Sequence, residues 1–158
     1  MKKLIRSITF TALILCLLAL TGCGKKSTGV TISPADLAKQ LATETVTSDT
    51  LTETSADILA STYFVDSEKI DSSSAYMSTG ASACEAAVIK CKDASYTSDV
   101  QKLFEQRVSN QTTLYSSYNA EETKKLNAAI IKVSGQYVVL CVCDDTSKAE
   151  SILKDAGF

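Results

Sequence analysis

Apolar residues follow three rhythms along this chain. From Ile8 to Leu20 they run almost unbroken, interrupted by Thr9 and Thr11. From Ser33 to Tyr118 they recur mostly at helical spacing, with one alternating stretch between. From Asn127 to Cys143 two apolar runs flank Ser134-Gly135-Gln136, as in a hairpin with a two-residue turn at Ser134-Gly135 or Gly135-Gln136. Either turn places Ala129, Ile131, Val133, Val138, Leu140 and Val142 on one face, and Ala128, Ile130, Lys132, Tyr137, Val139, Cys141 and Cys143 on the other.

The other elements follow from local chemistry. Ser33-Pro34 suits a helix start, with serine at the N-cap and proline in the first turn, and Leu37 and Leu41 give that helix an apolar stripe. The Thr/Ser-rich residues 43–55 predict an irregular passage, followed by a short helix over Ala56 to Thr62. Ser74 to Ser78 reads as a weak strand, Thr79-Gly80-Ala81 as a turn, and Glu85 to Cys91 as a better strand. A long helix is predicted from Asp99 to Tyr118, capped by Ser98 with Gln101. Its face is Val100, Phe104, Val108, Tyr115 and Tyr118, with Gln111 as the polar break. Asn119 with Glu122 starts a short helix ending near Leu126. Ser147 with Glu150 starts the last one, which Gly157 ends. Hairpins punctuated by helices predict an α+β domain: an antiparallel sheet of about four strands with helices packed mainly on one face. The mixed hairpin face holding Ile130, Val139 and Cys141 is expected to lie under the Leu37/Leu41 helix.

The first rhythm is an address. Lys2, Lys3 and Arg6 precede the apolar run, and small residues at Thr21 and Gly22 follow it, which is the plan of a signal peptide. The run is short for a permanent membrane span, which needs roughly 20 apolar residues. Leu20-Thr21-Gly22-Cys23 resembles the lipobox of bacterial lipoprotein precursors. The resemblance implies cleavage before Cys23, a diacylglyceryl group on its thiol, and an anchor at the outer face of the cytoplasmic membrane. Residues 1–22 are then the leader, 23–33 the lipidated cysteine and a short linker, and 34–158 a single domain.

Composition narrows the chemistry. The whole chain has a net charge of −2, but its leader holds three cations and no acid, so the remainder stands at −5. A mildly acidic domain without a basic cluster is a poor ligand for nucleic acid. The chain has no histidine, which removes Ser-His-Asp and Cys-His machinery and every imidazole metal ligand.

Several features resemble a family of small Gram-positive, Clostridia-type lipoproteins known only as a domain of unknown function. They are Glu85 before an alternating strand, Arg107 in a polar-aromatic helix, Tyr115, Tyr118-Asn119, Glu121-Glu122 and Leu126-Asn127-Ala128, then Gly135-Gln136-Tyr137 and Asp144-Asp145. The resemblance spans roughly residues 34–155, and Ala120 stands where the family often has proline. It implies an address and a fold but no activity.

Three constellations are candidates for chemistry. Cys84, Cys91, Cys141 and Cys143 can fill a sheet as small apolar residues, form a disulfide across strands, or act as a redox or metal-handling thiol set. The Cys-x6-Cys and Cys-x-Cys spacings are not the usual ones for zinc, and no metal or cofactor is expected. Glu85, Glu121, Glu122, Asp144 and Asp145 can cap helices, or join Arg107 in a carboxylate-based hydrolase. The mixed hairpin face, if uncovered, is a binding patch. No catalytic residue is assigned. The leading expectation is a non-enzymatic interaction module for an envelope protein or ligand, held at the membrane through Cys23, ahead of the thiol-based and hydrolytic alternatives.

Overall fold

The computed structural model describes residues 29–80 and 82–158. The expected leader, Cys23 and most of the linker lie outside the described residues, as does Ala81 of the expected turn.

Helix α1 (Pro34–Thr45) starts as the sequence predicts, with Ser33 Oγ accepting from the Asp36 N–H at 3.1 Å. A two-residue strand, β1 (Thr52–Glu53), interrupts the passage expected to be irregular. Helix α2 (Ala56–Tyr63) is capped by Ser55 and ends at Phe64, whose backbone turns left-handed at φ 58°. A 3-10 turn (Ser67–Lys69) leads into β2 (Ile70–Met77), and β3 (Glu85–Cys91) follows. A second 3-10 turn (Ala94–Tyr96) runs directly into α3 (Thr97–Tyr115), and α4 (Ala120–Asn127) comes next. The hairpin of β4 (Ile130–Ser134) and β5 (Tyr137–Val142) precedes α5 (Thr146–Ala156).

The five strands form one antiparallel sheet in the order β1-β2-β3-β5-β4. Ser134 pairs with Tyr137, so the hairpin turn is Gly135-Gln136, and Gly135 takes the positive φ (58°) that this tight turn demands.

The α+β class and the antiparallel sheet are as expected, with two differences. The sheet has five strands rather than four, and helices cover both of its faces. The reason lies in β3 and β5, which carry apolar side chains on both sides and therefore need two covers. Ala86, Val88, Val139, Cys141 and Ile130 pack under α1 and α5, against Leu37, Leu41, Ala149 and Leu153. The mixed hairpin face is thus covered, by the predicted helix and by the C-terminal one. Ala87, Ile89, Val138 and Leu140 pack under the other three helices, against Leu59, Tyr63, Val100, Phe104 and Leu126.

Four boundaries also differ from expectation. Strand β2 begins at Ile70 rather than Ser74, because pairing with the buried β3 holds a serine run of weak intrinsic strand preference. Helix α3 makes no side-chain N-cap, since the 3-10 turn capped by Asp93 feeds it and leaves Ser98 already inside. It stops at Tyr115, so Tyr118 stands outside it, exposed. Helix α5 is capped by Asp145, which accepts from the Lys148 N–H at 2.9 Å, while Glu150 pairs instead with Lys132.

Candidate functional site

Glu85 opens β3 on the face that meets α2 and α3, and it is only 2% exposed. A buried carboxylate is tolerable only when paired and hydrogen-bonded, and here it is both. Arg107 reaches it from α3, donating from Nε to Oε1 and Oε2 (3.2 Å each) and from Nη2 to Oε2 (3.1 Å). The Tyr63 hydroxyl donates to Oε2 at 3.0 Å. The guanidinium lies 5.6 Å from the centre of the Tyr63 ring, which packs edge-on against Phe104. Burial, then the Glu85 charge, pushes the Tyr63 phenol well above its ordinary pKa, so it stays a neutral donor. With its amide oxygen facing the guanidinium, Gln111 accepts from Nη2 and Nη1 at 3.0 and 3.1 Å.

This arrangement fixes Arg107 as a wall between two cavities. One, of about 220 Å³, is lined by Thr62, Phe64, Leu103, Gln106, Asn110 and Leu114 beside Arg107 and Gln111. The other, of about 240 Å³, is lined more by polar groups, including Ser78, Ser82 and Glu85. At the first cavity Phe64 is 79% exposed and Leu114 56%. Phe64 thus combines two unfavourable choices: a bulky residue in the left-handed region, where glycine or asparagine normally ends a helix, and a phenyl ring in water.

The remaining acids do other work. Lys125 Nζ lies 2.8 Å from Asp144 Oδ1 and 2.9 Å from Glu122 Oε1. Asp144 Oδ2 accepts from the Thr47 and Ser48 N–H groups at 2.7 and 2.8 Å, and Glu122 Oε2 accepts from the Ala83 N–H at 2.7 Å. One ion cluster therefore ties α4 to the loop after α1, the loop before β3, and the end of β5. Burial works against the charge of Asp144, but Lys125 and the Thr47 and Ser48 donors outweigh it and hold the carboxyl far below its ordinary range. Burial likewise opposes the charge on Lys125, and Asp144 and Glu122 overcome it and raise that pKa. Glu121 pairs with Lys124 on the surface, and Asp145 is a helix cap. The cleft that a hydrolase would need, joining Glu85, Asp144 and Arg107, does not form as such: Asp144 lines neither cavity beside Arg107.

Cys84, Cys91, Cys141 and Cys143 are all buried as free thiols. Cys91 sits in the core beneath α2 and α3, and the other three share the core beneath α1 and α5. Cys141 Sγ lies 3.9 Å from Thr45 Oγ1, and Cys84 Sγ lies 3.6 Å from Lys125 Nζ. Among the described residues, no group of three or more Cys, Asp or Glu side chains is placed to hold a metal ion. No described helix is long and apolar enough to cross a membrane.

Sequence reading singled out Glu85, Arg107 and Asp144, and it noted Gln111 as a polar break without seeing that it braces the guanidinium. It missed Tyr63 and Phe64, which no local pattern marks. It also missed Lys125, whose only signal was its helical spacing from Glu122.

The fold defines a small α+β class, a five-stranded antiparallel sheet between two helical layers with a buried Glu-Arg-Tyr cluster on one side. Within that class, residues 44–143 match the model of a domain of unknown function, DUF4358, and the chain belongs to that family. No curated protein and no solved structure matches the chain.

Proposed function

We propose that this chain is a membrane-anchored, extracytoplasmic lipoprotein whose domain serves as a non-enzymatic binding module of the cell envelope, with the cleft beside Arg107 as its binding surface. The basic and apolar leader ending in Leu20-Thr21-Gly22-Cys23 supports the address. Two acyl chains on Cys23 would give a stable anchor, at about 0.8 kcal/mol per buried methylene. Phe64 carries the binding reading. A phenyl ring held out in water from a left-handed backbone gains nothing for the isolated fold, and it stands beside a fixed guanidinium and a ring of amides from Gln106, Asn110 and Gln111. Such a mixture, an apolar anchor with a few fixed polar groups, is what small recognition clefts use.

Two measurements test this reading. Intact-mass analysis of the protein from its native host should find Cys23 as an acylated N-terminal residue, and an unmodified thiol there overturns the address. A photo-cross-linking side chain placed at position 64 of the anchored protein should give a discrete adduct that the same side chain at exposed Lys154 does not. Equal labelling from both positions overturns the cleft as the binding surface.

A further inference from the structure

Strand register singles out one pair among the four thiols. The β3–β5 ladder runs unbroken from Lys90↔Tyr137 to Glu85↔Val142. At its far end the Cys91 N–H donates to Gln136 O at 2.8 Å, so Cys91 and Gln136 form a hydrogen-bonded pair and Lys90 and Tyr137 a non-hydrogen-bonded one. Alternation along the ladder makes Glu85 and Val142, its last pair, hydrogen-bonded, and the same register carried one residue further sets Cys84 opposite Cys143. Non-hydrogen-bonded antiparallel partners sit about 4.5 Å apart at Cα with their side chains drawn together, inside the range of about 4.4–6.8 Å that a disulfide spans. Both side chains point into the same core, beneath α1 and α5. Cys141 is one rung away from Cys84 and two residues along the strand from Cys143, which is a poorer geometry for either bond. Cys91 lies in the other core.

We infer that Cys84 and Cys143 are a built disulfide site, closed across β3 and β5 when the folding chain meets a small-molecule or protein disulfide. The neighbours suit the exchange. Cys141, two residues along the strand, lowers the pKa of Cys143 against the opposing effect of burial, favouring its thiolate as the attacking group. That thiolate attacks one sulfur of the oxidant, breaks its S–S bond and releases one thiolate, leaving a mixed disulfide on Cys143. Burial raises the Cys84 pKa and Lys125 Nζ, 3.6 Å away, offsets part of that rise; Cys84 then loses its proton and attacks the Cys143 sulfur. The second oxidant thiolate leaves. In sum, two protein thiols become one disulfide, and one oxidant disulfide becomes two thiols. The pairing is a property of the fold and is independent of the lipid anchor and of the Arg107 cleft.

The test is refolding of the full chain from urea in a buffer of reduced and oxidised glutathione, followed by alkylation and peptide mapping. The expected product is lighter by two hydrogens, joins the Cys84 and Cys143 peptides, keeps Cys91 and Cys141 alkylatable after unfolding, and has a higher urea midpoint than the reduced protein. C141S should give the same bond, and C84S should give none. Recovery of Cys84 and Cys143 as free thiols, or a bond from either of them to any other cysteine, overturns the assignment.

Discussion

The two faces of the sheet solve the same burial problem with different materials. Beneath α1 and α5 the core is made of leucine, isoleucine, valine, alanine and cysteine, and its ionic contacts stay at the rim, as in Lys132–Glu150 and Lys148–Glu44. Beneath α2, α3 and α4 the core takes in Tyr63, Phe104 and a carboxylate–guanidinium pair, and it opens to solvent at the two cavities beside Arg107. A buried ion pair adds little net stability over an apolar replacement of the same shape. An aliphatic layer would serve the fold as well, so the polar layer is the side on which the proposed binding cleft rests.

The contrast can be broken by measurement. R107A strands Glu85 as an unpaired buried charge and should cost about 4 kcal/mol of unfolding free energy by urea titration. L41A leaves a cavity in the aliphatic layer and should cost about 3 kcal/mol. If R107A costs clearly less than L41A, the charged cluster is not the demanding part of the fold. D144N should cost about 2 kcal/mol at neutral pH by removing charge-assisted hydrogen bonds, and it also sharpens the picture through pH. The folded pKa of Asp144 lies below the unfolded value, so its contribution is complete above the unfolded carboxylate range and fades as pH falls through the folded value. The wild type should therefore lose stability on acidification more steeply than D144N, and parallel pH profiles would remove Asp144 from the account. The smallest effect has the opposite sign. F64G relieves a left-handed side-chain residue and should raise stability by up to about 1 kcal/mol, while the adduct expected at this cleft disappears for a cross-linker placed at Leu114. A clear loss of stability in F64G would mean that the ring packs for the fold.

The sequence revealed most where side chains repeat with a period. The β4–β5 hairpin, its two faces, α1 with its Ser33 cap, and β3 from Glu85 to Cys91 are all plain, because each is written in consecutive residues. What it hid depends on neighbours distant in the chain. Asp71 to Ser73 carry no strand signal of their own and are strand because β3 lies beside them. Asp145 takes the cap of α5 from Ser147 because the chain leaves β5 through Asp144, whose backbone N–H donates to Thr45 O. The second helical layer went unread because α3 shows a sparse apolar face, interrupted by the Arg107 and Gln111 that the site needs. Glu85 and Arg107 stood out as individual residues, 22 positions apart, but nothing in their spacing showed that they meet, or that Tyr63 joins them.

The sheet also ends in a particular way on each side. At one border, β1 contributes only Thr52 and Glu53, both exposed, and at the other β4 is five residues long and holds Lys132 against Glu150. At the first border β1 pairs only Tyr76 and Met77 of β2, whose remaining edge carries the polar run Asp71 to Ser74, and at the second a lysine set into the strand opposes the flat stacking that seeds aggregates. Borders of this kind leave the sheet poorly suited to joining another sheet edge to edge.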